Sequence, residues 1–125
     1  LVGFFSGKSL TSGNENTAIG ADSLNSCETG VRNVALGYKA GQYETANDKL
    51  YIDNQDRTDT AGDKSDSLVY GEFNATVSSQ VLRFNCGSMG FFGSTDAARP
   101  TSTDYNNWAS STDIGEALKS IGIFS

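Results

Sequence analysis

Histidine is absent from the 125-residue sequence, proline occurs once, cysteine twice, and Lys and Arg together number only nine. Each scarcity removes a class of function. Without an imidazole the usual hydrolytic triads and the commonest general base are gone, and neither Cys27 nor Cys86 has a histidine to activate it. Nine scattered cations against fifteen Asp and Glu give a formal net charge of −6, the wrong balance for a phosphate backbone, so no nucleic-acid partner is expected. No run of about twenty apolar residues occurs, and no membrane insertion is expected. The two cysteines lack metal-ligand spacing; buried free thiols are the default reading, a disulfide between them the alternative, and the redox compartment stays open. Hydrophobic residues make up only 37% and mean hydropathy is −0.37, little for a core in a chain this small. Yet seven Phe, five Tyr and one Trp are too many aromatics for a disordered chain. A core completed by identical neighbours reconciles the two.

What is present is a repeat. Asn16-Thr17-Ala18-Ile19-Gly20-Ala21-Asp22-Ser23-Leu24 recurs as Asn33-Val34-Ala35-Leu36-Gly37-Tyr38-Lys39-Ala40-Gly41, a step of seventeen. A degenerate earlier copy, Phe4-Phe5-Ser6-Gly7-Lys8-Ser9-Leu10, aligns with Ala18 to Leu24 at a step of fourteen and makes Phe5 the counterpart of Ile19. Such a period is too short for a helical hairpin and long enough for two short strands and two turns. The aliphatic or aromatic residue at each strand centre, Phe5, Ile19 and Leu36, is expected to face the interior, with Ala18 and Ala35 beside it. Gly20, Gly37, Asn16 and Asn33 are expected at the turns. Coils of this kind bury a core only by stacking, and about three are needed. Two clear copies and one weak one call for symmetry mates.

The rest of the chain reads as a mainly β continuation. Lys49 to Asp53 alternates as a strand with Leu50 and Ile52 on one face; Asn54 to Ser67 is a polar loop; Ser67 to Phe73 and Gln80 to Asn85 form a hairpin. After the Gly-flanked Met89 to Gly93 and a polar connector holding Pro100, a short helix is expected. Asp113 and Glu116 have capping-box spacing, and Ile114, Ala117, Leu118 and Ile121 line one face. Two turns of helix need a partner surface, so Ile114, Leu118 and Ile121 are read as a trimerisation stripe. The expected divisions are 1–48 (repeats), 49–86 (strands with a polar loop) and 87–125 (connector and helix). Leu1 in place of Met reads as a piece of a longer polypeptide, with Ser125 as its natural end.

The two repeat copies resemble the head repeats of trimeric autotransporter adhesins. The resemblance covers the first third of the chain and implies a left-handed parallel β-roll, three of which pack about a common axis. The strand series Lys49 to Asn54, Leu68 to Phe73 and Val81 to Asn85, with the ending through Arg99-Pro100 and a terminal helix, is similar to phage tail-fibre-like proteins. Together these imply an intertwined homotrimer on the virion surface, extracellular and in contact with other virion proteins. Its role would be a tail or baseplate fibre or spike domain that supports or performs attachment to a host surface glycan or protein. A purely structural capsid-fibre or trimerisation module and the head of a bacterial surface adhesin are the alternatives.

Catalysis and cofactors are not expected. Asp53, Asp56, Asp59, Asp63 and Asp66 supply carboxylates of the type a glycosidase pairs, but in a stretch polar throughout they read as a solvated acidic loop; their register does not match a calcium loop. Tyr38, Tyr43, Tyr105 and Trp108 are candidates for stacking on a receptor sugar, or equally for packing. Asn74-Ala75-Thr76 is a formal glycosylation sequon.

Overall fold

The computed structural model describes residues 1–89 together with Ala97 and Ala98. Five short strands form one mixed sheet in chain order: β1 (Thr17–Ile19), β2 (Val34–Leu36), β3 (Lys49–Ile52), β4 (Val69–Glu72) and β5 (Val81–Phe84). The first three are parallel, and β3, β4 and β5 follow antiparallel. One helix, α1 (Thr60–Asp66), lies between β3 and β4, and a 3-10 turn over Val77–Ser79 lies in the β4–β5 connection. The chain is mainly β. Residues 1–85 are one compact unit and residues 86–125 a second, in which β6 (Ser88–Met89) pairs antiparallel with β7 (Ala97–Ala98). The expected helical stripe of Ile114, Leu118 and Ile121, like Tyr105 and Trp108, lies outside the described residues.

The parallel part is ruled by the seventeen-residue step. Ala18 pairs with Ala35 and Ala35 with Tyr51, seventeen and sixteen residues on. The turns repeat with the strands. Gly3, Gly20 and Gly37 all have positive φ (132°, 132° and 114°), a region that disfavours any side chain. A Cβ on Gly20 would land on the backbone of Gly37, and one on Gly37 would land on the carbonyl of Asp53. Backbone thus rests directly on backbone at one corner of each segment, and hydrogen bonds run along the turns as well: Gly7 N–H to Ser23 O (2.8 Å), Leu24 N–H to Ala40 O (3.1 Å) and Ser26 N–H to Gln42 O (2.9 Å).

Asparagine closes each segment. The Asn16 amide donates to Gly30 O (2.8 Å) while its oxygen accepts from Asn33 N–H (2.9 Å). Asn33 repeats both contacts, to Ala46 O (2.8 Å) and from Lys49 N–H (2.9 Å). One side chain per segment therefore satisfies a carbonyl of its own turn and a strand amide of the next, as buried backbone groups require.

Two expectations need correction. The first copy aligns at seventeen, not fourteen: Val2 bridges Ile19, and Gly3 stands where Gly20 and Gly37 stand. Phe5 is therefore not the partner of Ile19; it occupies a positive-φ turn position with Asp22 and Lys39, and it is exposed. Second, the strands face the other way. Ala18 and Ala35 are fully buried, whereas Ile19 is 48% exposed and Leu36 only half-buried. Leu24 and Cys27 from the turns already fill the interior, which leaves room for a methyl group at the strand positions, so the alternation puts Ala inside and Ile or Leu outside.

The interior row runs Ala18, Ala35, Tyr51, Tyr70 across the pairing register. It widens toward the hairpin, where the Tyr51 and Tyr70 rings lie 5.4 Å apart. Leu24, Cys27 and Ala40 complete the core from the turns.

Three substitutions test the interior and the glycine corners. Ala18→Asp places an unpartnered charge in the interior and is expected to abolish the folded state, since such burial costs several kcal/mol or more. Gly20→Ala is expected to lower the unfolding free energy by more than about 1 kcal/mol, because φ and space both forbid it. Gly87→Ala, with nothing within 4 Å of the new methyl, is expected to change nothing. Urea unfolding followed by circular dichroism reads all three.

Candidate functional site

The alternation that fills the interior with Ala and Tyr leaves a second face. Along the pairing register Val2, Ile19, Leu36, Ile52, Val69 and Phe84 form one continuous row on the outside of the sheet. Beside it, Thr17, Val34, Leu50, Gly71 and Leu82 form a second. Apart from Thr17 and Gly71, every position in both rows carries an aliphatic or aromatic side chain. Val2, Thr17, Ile19, Ile52, Leu82 and Phe84 are exposed, Val34, Leu36, Leu50 and Val69 are half-buried, and Gly71 is buried. At ~4.8 Å per strand the strip is ~24 Å long and only two side chains wide. Two hollows open on it. One of about 430 Å³ lies between Leu36, Ile52, Leu68 and Arg57; one of about 290 Å³ surrounds the missing side chain of Gly71, between Leu50 and Leu82. Contiguous apolar surface of this extent marks an interaction site on soluble proteins.

The far end of the parallel stack is closed by charge. The segment expected to be a solvated acidic loop contains α1, and two of its carboxylates are buried. Asp59 is the N-cap, accepting from Gly62 N–H at 2.7 Å. Asp53 holds Arg57 through both guanidinium contacts. Thr60 Oγ1 donates to Tyr43 O (2.7 Å) and Tyr43 N–H donates to Asp63 Oδ2 (2.8 Å), which docks α1 on the turn after β2. On that turn Glu44 is buried. It accepts from the Tyr51 hydroxyl (2.5 Å) and from the amides of Thr45 and Ala46, and lies 3.5 Å from Lys64 Nζ. Burial alone would raise the Glu44 carboxyl; the Tyr51 hydroxyl, the amides and Lys64 together hold it below its ordinary value. The Tyr51 hydroxyl itself is pushed up, by burial first and by Glu44 second. Asp53 is likewise held low against burial by Arg57.

The tyrosines expected at a receptor surface are partly engaged. Tyr43 donates its hydroxyl to Asp56 (3.0 Å), which also accepts from Lys39 Nζ (2.6 Å) and Thr58 N–H (3.0 Å). Lys39, with Thr58 and Tyr43, holds the Asp56 carboxyl down at about 2. This is a clamp fixing the 54–59 loop to the turn. Tyr38 is exposed, with Lys39 Nζ 5.5 Å from its ring centre. Cys27 is buried and free, its thiol raised by burial, and Cys86 is free. Among the described residues no group of three or more His, Cys, Asp or Glu is arranged to hold a metal ion, and no helix is long and apolar enough to cross a membrane.

Sequence reasoning missed Tyr51, Tyr70, Glu44 and Asp63 as buried groups. For Tyr51 a signal existed: aligning Ile52 with Leu36 puts it under Ala35. The charged pair gave none, since acidic residues in a polar stretch carry no mark of burial.

Tyr51→Phe removes a donor from a buried carboxylate and is expected to cost about 1–3 kcal/mol in urea unfolding. Because the Glu44 and Asp53 carboxyls are held low in the fold, the stability they confer is present above their unfolded pKa of about 4 and is lost as pH falls through the folded values. The urea midpoint is therefore expected to fall steadily from pH 4 to pH 2. No family model, curated protein or solved structure matches this chain.

Proposed function

We propose that the chain is a non-enzymatic, trimer-forming domain of a virion surface fibre or spike that supports or performs attachment to a host cell. In this reading the segments of residues 1–53 are coils of a short parallel β-roll, and three copies turn their outward strips toward a common axis. One observation carries it: the unbroken outward apolar row Val2, Ile19, Leu36, Ile52, Val69 and Phe84, four of them exposed and two half-buried. Its shape supports a closed assembly, since a strip long in the stacking direction and two side chains wide suits an axis parallel to the stack. Each aliphatic side chain fully buried there contributes roughly 1.5–3 kcal/mol.

The surface-fibre part of the reading rests on the resemblance of the Asn-x-Ala-aliphatic-Gly repeat and its following strands to adhesin heads and phage tail fibres. The absence of histidine and the engagement of Glu44, Asp53 and Asp56 with cations of their own support a structural rather than a catalytic role. The Tyr43–Asp56–Lys39 clamp favours a supporting role for Tyr43 and leaves Tyr38 as the residue better suited to receptor contact.

Sedimentation equilibrium of the parent at micromolar concentration is expected to give three times the 13.2 kDa chain mass, and Ile19→Asp is expected to lose the trimer. A stable folded single chain, or an Ile19→Asp variant that still sediments as a trimer, contradicts the assembly. Binding of the trimer to whole bacterial cells, reduced by Tyr38→Ala, separates direct attachment from support alone.

A further inference from the structure

Four carboxylates converge where α1 meets the stack, and three have a cation. Glu44 has Lys64, Asp53 has Arg57 and Asp56 has Lys39. Asp63 is in no ion pair among the described residues; Arg57, committed to Asp53, reaches it only through a weaker longer-range attraction. Asp63 is also fully buried. One of its oxygens accepts from Tyr43 N–H at 2.8 Å, and the other, Oδ1, is buried with no hydrogen-bond partner. The two hydroxyls on the neighbouring strand and turn are committed elsewhere, Tyr51 to Glu44 and Tyr43 to Asp56. Lys64, next to Asp63 on α1, points its charge at Glu44.

A buried carboxylate in this position is costly as an anion and tolerable as a neutral acid. Ionisation would add a fourth negative charge beside Glu44, Asp53 and Asp56, whose repulsion adds to the cost of burial. We infer that Asp63 is a proton-held latch, which in its neutral form docks α1 on the Tyr43–Glu44 turn and in its ionised form lets α1 lift away. Burial first, and then the neighbouring carboxylates, push the Asp63 carboxyl up to about 6 against the single backbone amide that lowers it. The sign follows from linkage. With a folded value near 6 and an undocked value of about 3.9, the docked form binds more protons between these limits, so docking weakens as pH rises through them. The direction is opposite to that of Glu44 and Asp53, which lose their contribution in acid. The latch does not depend on the trimer proposed above.

The Tyr43 amide reports the latch directly, because its N–H is donated to Asp63. Hydrogen exchange of this amide, corrected for the intrinsic rate, is expected to become about tenfold less protected between pH 5 and pH 8. Asp63→Asn keeps an acceptor for Tyr43 N–H and removes the proton, and its protection is expected to be flat across the same range. Protection that is flat in the parent, or a slope that persists in Asp63→Asn, overturns the latch. If the variant fails to fold, carbon-detected NMR titration of the parent's Asp63 carboxyl decides: a midpoint near 6 supports the latch, and one near 4 overturns it.

Discussion

Backbone lies on backbone at the corners of the parallel stack, and this contact sets everything around it. Gly3, Gly20 and Gly37 carry φ values that suit glycine, and each approaches the next corner so closely that a methyl group would strike main-chain atoms. With the corners in contact, successive segments stack at backbone distance and little space is left between them. The strands contribute alanine to the interior, and the turns fill the rest with Leu24, Cys27 and Ala40. The close approach also explains the asparagines: backbone groups sealed between segments need partners within reach, and the Asn16 and Asn33 side chains supply a donor and an acceptor at once. A filled interior has a cost for the rest of the molecule. The branched side chains of the strands are left outside, in a strip that a lone chain exposes to water.

The hairpin end resolves the same constraint differently. Tyr51 and Tyr70 replace alanine in the interior row, and the space Tyr51 needs is made by Gly41, where a Cβ would meet its ring. A tyrosine brings a hydroxyl into the core, and Glu44 answers it. Glu44 then requires a cation, which Lys64 on α1 provides. The helix, the turn after β2 and the strand β3 are thereby tied through charge rather than through apolar packing. That makes this end sensitive to pH on both sides, with Glu44 and Asp53 weakened in acid and Asp63 weakened on ionisation.

Much of this architecture was legible in the sequence, because its strongest constraint leaves residue types behind. The Asn-x-Ala-aliphatic-Gly pattern marks strand and corner, and the seventeen-residue step gives the pairing register of β1 and β2. The pairing of β4 with β5 was visible in their alternation and the polar connector between them. The facing of the strands was not. Alternation says that Ala18 and Ile19 look opposite ways, but only the space left in the interior decides which way, and hydrophobicity alone chooses wrongly when that space is a methyl group. The first copy was misaligned because Phe4-Phe5 attracted the alignment to the aliphatic position, while the informative residue was Gly3. The helix α1 was missed because Gly62 and a run with Ala61 as its one apolar side chain hide it; its signature is Asp59, three residues before the Gly62 amide it caps.

The proposed trimer makes the outward strip an intersubunit face and not bare surface. Hydroxyl-radical footprinting of the assembled protein in solution tests it most directly, since it reads side-chain exposure residue by residue. Val77, 78% exposed and in the 3-10 turn outside both rows, is the internal standard. Ile19, Ile52 and Phe84 are expected to be strongly protected relative to Val77 once exposure and intrinsic reactivity of the single chain are normalised. Labelling of all three at the level of the isolated chain would contradict it.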